Sequence, residues 1–221
     1  MLLSDFKNEA KKMRMGIKPE FGRILSLIDF ANVDYWYEKD RLDGDFNELK
    51  EGEKLNIDIK KLFDFCHLFS EYFKFYYGLD QRRKKSIHII KVARDIFGKT
   101  NAVTKHIQHI RHYLDESEES GNTRSVIHDA NGKYVLIPKC NFDVEICIDA
   151  IRLMDRHETL CLFSSDADFI SLFRFLKDRG KKLILVKGGF AQTELVKKAD
   201  LVIQAQDIKS ELTLIKQKSR P

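Results

Sequence analysis

Apolar residues come both in short unbroken runs and in helical stripes, and the two kinds alternate along most of the chain. RILSLIDF (23–30), YFKFYYGL (72–79), TLCLFS (159–164), KLILVKG (182–188) and DLVIQA (200–205) read as buried strands. They are too short for helices and rich in branched or aromatic residues. Between them lie amphipathic stretches. IDIKKLFDFCHLFSEY (57–72) places Ile59, Leu62, Phe63, Cys66 and Phe69 on one helical face. SIHIIKVARDIFG (86–98) predicts a helix closed by Gly98, and DFISLFRFLKDRG (168–180) one closed by Gly180. FDVEICIDAIRLMD (142–155) predicts a helix with Val144, Cys147, Ile148 and Ile151 facing inward. AQTELVKKA (191–199) and DIKSELTLIKQ (207–217) predict two more, the second a terminal helix. Residues 2–13 space Leu3, Phe6, Ala10 and Met13 as a short amphipathic helix. NVDYWYEKDRL (32–42) is a helix start or a loop, and 101–114 suits strand and helix alike. RSVIHDANGKYVLIP (124–138) predicts two short strands joined around Asn131-Gly132.

Strands alternating with helices predict an α/β fold, a mostly parallel central sheet with helices on both faces. In such a sheet the site lies outside the carboxyl ends of the strands. Asp29 ends the first strand, Asp166 and Asp168 follow TLCLFS, and Asp143 opens the helix that precedes it. Carboxylates gathered on one edge repel, by on the order of 4 kcal/mol for a pair about 4 Å apart at an effective dielectric near 20. Such a group calls for protons or a bound cation. Oxygen donors without His or Cys point to a hard ion, Mg²⁺ or Mn²⁺, and to chemistry beside a phosphate, with phosphodiester hydrolysis the reaction that fits. Taken singly, Asp166 or Asp168 also serves as a helix cap, and Asp143 as a first-turn charge on a helix dipole.

The chain has 221 residues, 43% of them hydrophobic and 33% charged, enough for one large core and thin for two. Residues 1–21 read as an N-terminal helical extension and 22–221 as a single domain, with an insertion expected near 115–138. The N-terminus carries Asp5, Lys7 and Glu9 where a signal peptide needs apolar residues, and no run is long enough for a membrane span. The expectation is a cytoplasmic protein without a membrane partner. Four cysteines, with no CxxC pair, suit buried reduced thiols. A net charge of +5 admits a nucleic-acid partner, and DQRRKK (80–85) and KDRGKK (177–182) concentrate the basic residues. Arg82, Arg83, Lys84 and Lys85 follow a strand on the expected active edge and are candidate phosphate contacts; Tyr35 and Trp36 are candidate base-stacking residues. His106, His109 and His112 have spacing that suits neither a strand face nor an i, i+4 helical pair of zinc ligands.

IDFAN (28–32), FDVEICID (142–149) and SSDADF (164–169) resemble, in order, three motifs of the NYN domain family, a branch of the PIN-like metal-dependent ribonucleases. YYGLD (76–80) and RGKKLILV (179–186) are also similar to strand regions of that family, so the resemblance spans about residues 22–205. It implies a PIN-like fold, RNA as partner and Mg²⁺ or Mn²⁺ as cofactor. Asp29, Asp143 and Asp166 match the positions of direct metal ligands, with Asp168 a ligand through water or a base that positions it. Asn32 bonds a phosphate oxygen or orients Asp29. Ser165, standing where the family often has glycine, and Asp149 are supporting residues. Asp149 lies six positions past Asp143, about 240° round the helix and about 9 Å along it, so one ion cannot bind both directly. The alternative to the enzyme is a non-catalytic RNA- or protein-binding module on the same fold. A homo-oligomer or protein partner stays open. A haloacid-dehalogenase-like phosphatase needs Asp-x-Asp at the first strand, where this chain has Asp29-Phe30-Ala31.

Overall fold

The computed structural model describes residues 3–115 and 125–217. Helix α1 (Leu3–Arg14) precedes β1 (Ile24–Asp29) and the single-turn α2 (Phe30–Val33). Next come β2 (Glu53–Ile57), α3 (Ile59–His67), β3 (Tyr72–Leu79), α4 (Lys84–Phe97), β4 (Ala102–His106), β5 (Gln108–Tyr113), β6 (Ile127–Asp129) and β7 (Gly132–Lys139). The chain ends with α5 (Asp143–Arg152), β8 (Thr159–Phe163), α6 (Ile170–Lys177), β9 (Lys182–Lys187), α7 (Thr193–Lys198), β10 (Leu201–Gln204), α8 (Lys209–Leu212) and β11 (Thr213–Gln217).

The central sheet is parallel throughout, in the order β10-β9-β8-β1-β3-β4. Its inner strands read as unbroken apolar runs because both faces are covered. Side chains alternate across the sheet. Ile28, Phe75, Phe163 and Val186 pack with α3, α4 and α8 in one core, and Leu27, Tyr76, Leu162 and Leu185 pack with α5, α6 and α7 in the other. By the same alternation Asp29 faces the α5 side. The chain runs outward from β1 through β3 to β4, then returns to the other flank of β1 with β8. That reversal opens a crevice at the carboxyl ends of β1 and β8, the usual ligand position in such sheets. Between β4 and α5, β5, β7 and β6 form a separate three-stranded antiparallel sheet. Of the insertion expected at 115–138, positions 116–124 lie outside the described residues. Among the described residues no helix is long and apolar enough to cross a membrane.

Two expectations are corrected. Helix α5 turns Phe142, Ile146 and Ala150 to the sheet, while Val144, Ile148 and Ile151 are 66%, 42% and 44% exposed and Cys147 is half-buried. The helix carries two apolar stripes, and the bulkier one faces out. The segment 207–217 is not one helix. A 3₁₀ turn and the one-turn α8 lead into β11, which pairs antiparallel with β2. The TLI run of β11 satisfies its backbone on a strand 155 or more positions away, a partner that local periodicity cannot reveal.

Candidate active site

Strand β1 and strand β8 pair as far as Ile28↔Phe163, so Asp29 and Ser164 emerge side by side. The Ser164 hydroxyl donates to Asp29 Oδ2 at 3.3 Å and accepts the Asp166 N–H at 3.2 Å. Asp166 then caps the 3₁₀ turn Ala167–Phe169 by accepting the Asp168 N–H on Oδ1 at 3.0 Å. The capping role read from the sequence is thus real, and among the described residues it leaves the second carboxylate oxygen of Asp166 without a hydrogen-bond partner. Asp143 begins α5, where Asn141 brackets it: Asn141 Oδ1 accepts the Asp143 N–H at 2.7 Å, and its amide nitrogen donates to the carboxylate.

Asp143, Asp166 and Asp168 each bring a carboxylate oxygen within 4.8 Å of the others. Among the described residues none of these three, nor Asp29, is in an ion pair. Asp29 is not a member of that group but sits close behind it. Burial, relieved in part by the Asn32 N–H and the Ser164 hydroxyl and reinforced by the charges of Asp143 and Asp166, pushes its carboxyl up to about 6. Asp143 is raised as well, first by burial and then by Asp166 and Asp168, against the pull of its Asn141 hydrogen bond. Lys105 lowers it again. That ammonium pairs with Glu145 at 2.8 Å and lies 4.7 Å from the centre of the Phe142 ring, so it flanks the group without neutralising it.

Asn32 ties the two loops together: its Oδ1 accepts the Trp36 indole N–H at 3.0 Å and the Ser165 N–H at 3.2 Å. Ser165 donates its hydroxyl to the Gly188 carbonyl at 2.7 Å. Trp36 is packed within the fold on this side of the site. Its ring stacks on Phe163 at 6.5 Å, half-buried, whereas Tyr35 is 63% exposed. Asp149 does not reach the acidic group; it pairs with Lys74 at 2.9 Å and accepts the Tyr76 hydroxyl at 2.8 Å. In the basic stretch Arg83 lies 3.4 Å from Asp80 and Lys85 2.7 Å from Asp34, while Arg82 and Lys84 are exposed and make no ion pair among the described residues. His106 and His112 are exposed, and His109 stands 3.6 Å from Asp80, so no histidine cluster forms.

Ser164, Asn141 and Lys105 went unnoticed in the sequence. Ser164 and Asn141 carried a signal, each two positions before an aspartate of the group, the spacing at which a short side chain bonds backbone. Lys105 carried none. Gly188 is a further support: a Cβ there would fall 2.4 Å from Trp36 Cγ. Gly188→Ala is therefore expected to displace the indole from Asn32 and cost about 1–3 kcal/mol, lowering Tm by roughly 3–10 °C in thermal unfolding.

The solved structure of a protein of unknown function, VPA0982 from Vibrio parahaemolyticus, is similar with a TM-score of 0.54 and 18% identity, over 87% of this chain and 96% of that one. At that identity the likeness concerns the fold alone. No curated protein matches the chain. Residues 23–206 match the NYN domain, and the sheet and crevice fit the PIN-like nuclease superfamily to which that domain is related. Matched over more than half its length, the chain belongs to the NYN domain family.

Proposed function

We propose that the protein is a divalent-metal-dependent ribonuclease that hydrolyses RNA phosphodiester bonds at Asp143, Asp166 and Asp168. The observation that carries this reading is the convergence of those three carboxylates within 4.8 Å, without a compensating side-chain cation among the described residues, at the crevice beside β1. The donor set fits the ion: oxygen only, partly buried, and electrostatically unfavourable when bare. Asp143, Asp166 and Asp168 would hold Mg²⁺ or Mn²⁺, which supplies a water of lowered pKa and neutralises charge on the phosphate. Asp29 acts behind them as a positioning residue, holding Ser164 and through it the Asp166 backbone. Asn32 joins that loop to α2. Asp168 is the most exposed of the three and so the one most open to substrate and water.

Incubating the purified protein with single-stranded and structured RNAs in Mn²⁺, Mg²⁺ or EDTA tests the reading. Cleavage with either metal and none in EDTA supports it. Binding without cleavage in both metals replaces it with the binding module. The free cations on the same edge should grip phosphates without reading sequence. Changing Arg82 and Lys84 together to alanine is expected to weaken single-stranded RNA binding for every sequence alike. The salt dependence should flatten by about 0.7 log units per lost contact. Lys85→Ala, whose ammonium is already engaged by Asp34, should change the slope less.

A further inference from the structure

A cavity of about 210 Å³ opens between α2, the end of β3 and the approach to α5, the elements that also flank Asp29 and Asp143. Tyr35 and Tyr77 line it, with Ile107 and Pro138 contributed by the three-stranded sheet and its approach. That sheet is seated firmly on β3, because a Cβ at Gly78 would lie 2.8 Å from Ile107 and 2.9 Å from the sulfur of Cys140. The cavity and the acidic group share neighbours. Ala31 in its wall is two residues from Asp29, Tyr77 follows Tyr76, which stands opposite Asp29 in the sheet, and Cys140 is three before Asp143.

The polar part of the wall is rich in acceptors. Asp34 gives one oxygen to Lys85 at 2.7 Å, and its other oxygen has no hydrogen-bond partner among the described residues. Asp80 is 5% exposed and accepts the Arg82 N–H at 3.0 Å. The one guanidinium in the wall, Arg83, is drawn to Asp80 at 3.4 Å. Aromatic rings beside a carboxylate with one open oxygen suit a flat group that stacks and donates N–H bonds. On a base edge a carboxylate accepts from N–H groups, amino or imino, as it does from the cytosine amino group in a duplex. Guanine sets an imino and an amino N–H side by side, so it can give one to the open oxygen of Asp34 and the other to the oxygen that also accepts from Lys85, whereas uracil has a single imino N–H.

We infer that this cavity binds an unpaired, amino-bearing base of the RNA, guanine before the others, next to the phosphate held at the acidic group. The inference rests on the ribonuclease reading for its ligand. It makes Tyr35 and Asp34 residues that choose where the strand sits, and it makes the substrate a single strand at that point, since a paired base presents neither its face nor its pairing edge.

The test is equilibrium binding in EDTA, where nothing is cleaved, of seven-residue RNAs: all uridine, and the same with one central G, A or C. The G-containing strand should bind roughly tenfold tighter than all-uridine, with A and C between. Tyr35→Ala should weaken the G strand roughly five- to tenfold, Tyr35→Phe should restore it, and Asp34→Asn, which also releases Lys85 and so shifts binding of every strand alike, should erase the ratio of G to all-uridine affinity. Equal binding of all four strands, no RNA binding at all, or a G preference untouched by both Tyr35→Ala and Asp34→Asn overturns the inference. A parallel incubation with Mn²⁺ separates it from the reading beneath it. Cleavage without base preference overturns the cavity assignment alone, and a cavity-dependent G preference without cleavage supports the assignment and removes the nuclease.

Discussion

Replacing Asp143 with asparagine is expected to reduce metal-dependent RNA cleavage by at least about a thousandfold while folding and RNA affinity stay close to wild type. Hydrolysis builds negative charge on the phosphate in its transition state, and a cation held among carboxylates stabilises that charge more than it stabilises bound substrate. Such stabilisation is worth several kcal/mol, and about 1.4 kcal/mol is tenfold in rate. The asparagine keeps the shape and the backbone N–H that Asn141 accepts, so α5 still starts at the same place. It also removes one of three mutually repelling charges, so stability should not fall. Affinity for RNA in EDTA should hold or rise, because one charge facing the phosphate is gone. Cleavage rate and dissociation constant, measured for both proteins in one buffer, decide the matter. A variant that cleaves like wild type would place the activity elsewhere.

What the sequence disclosed follows the range of the forces involved. The inner strands were plain because a strand buried on both faces is mostly apolar, and β1, β8 and β9 carry that mark most fully. The acidic group was plain because charges at the ends of such strands have few structural uses. The misses came where a distant partner decides. Strand β2 has a mixed composition and exists through its pairing with β11, which itself looked helical. The inward face of α5 was misjudged because Val144, Ile148 and Ile151 make a second apolar stripe, and which stripe meets the sheet is decided by fit to it and not by the sequence pattern of the helix alone. The contacts of Trp36 with Phe163 and beside Gly188 likewise depend on residues far along the chain. Asp29 shows the same limit at the site. Its place at the end of β1 was readable, but only the fold shows that the carboxylate sits behind the group of three, under Ser164.

That placement gives Asp29 the second large effect. In the metal-free protein, Asp29→Asn is expected to stabilise the fold at pH 7–8 by up to about 3 kcal/mol, a Tm rise of several degrees, with the gain vanishing as the pH falls below about 4. The ordinary aspartate value is 3.8, and burial together with the nearby charges raises the folded value to about 6. A raised acid binds its proton more tightly when folded than when unfolded. Between those two values stability therefore falls as pH rises, and above about 6 the full cost of holding the charge in the fold is present. Below 3.8 both states are protonated and the term disappears. Asparagine cannot ionise, yet its oxygen still accepts from Ser164 and from the Asn32 N–H, so the contacts survive while the cost does not. Because other carboxylates also titrate, the quantity to follow is the difference in Tm between the two proteins across pH 4–8 in EDTA. Adding Mn²⁺ should shrink that difference at pH 7.5, since a cation beside Asp143, Asp166 and Asp168 offsets the charge at Asp29 and stabilises wild type by mass action. A difference that is flat with pH would show that Asp29 is solvated and not buried against its neighbours. A difference that Mn²⁺ leaves unchanged would place the ion beyond the reach of Asp29.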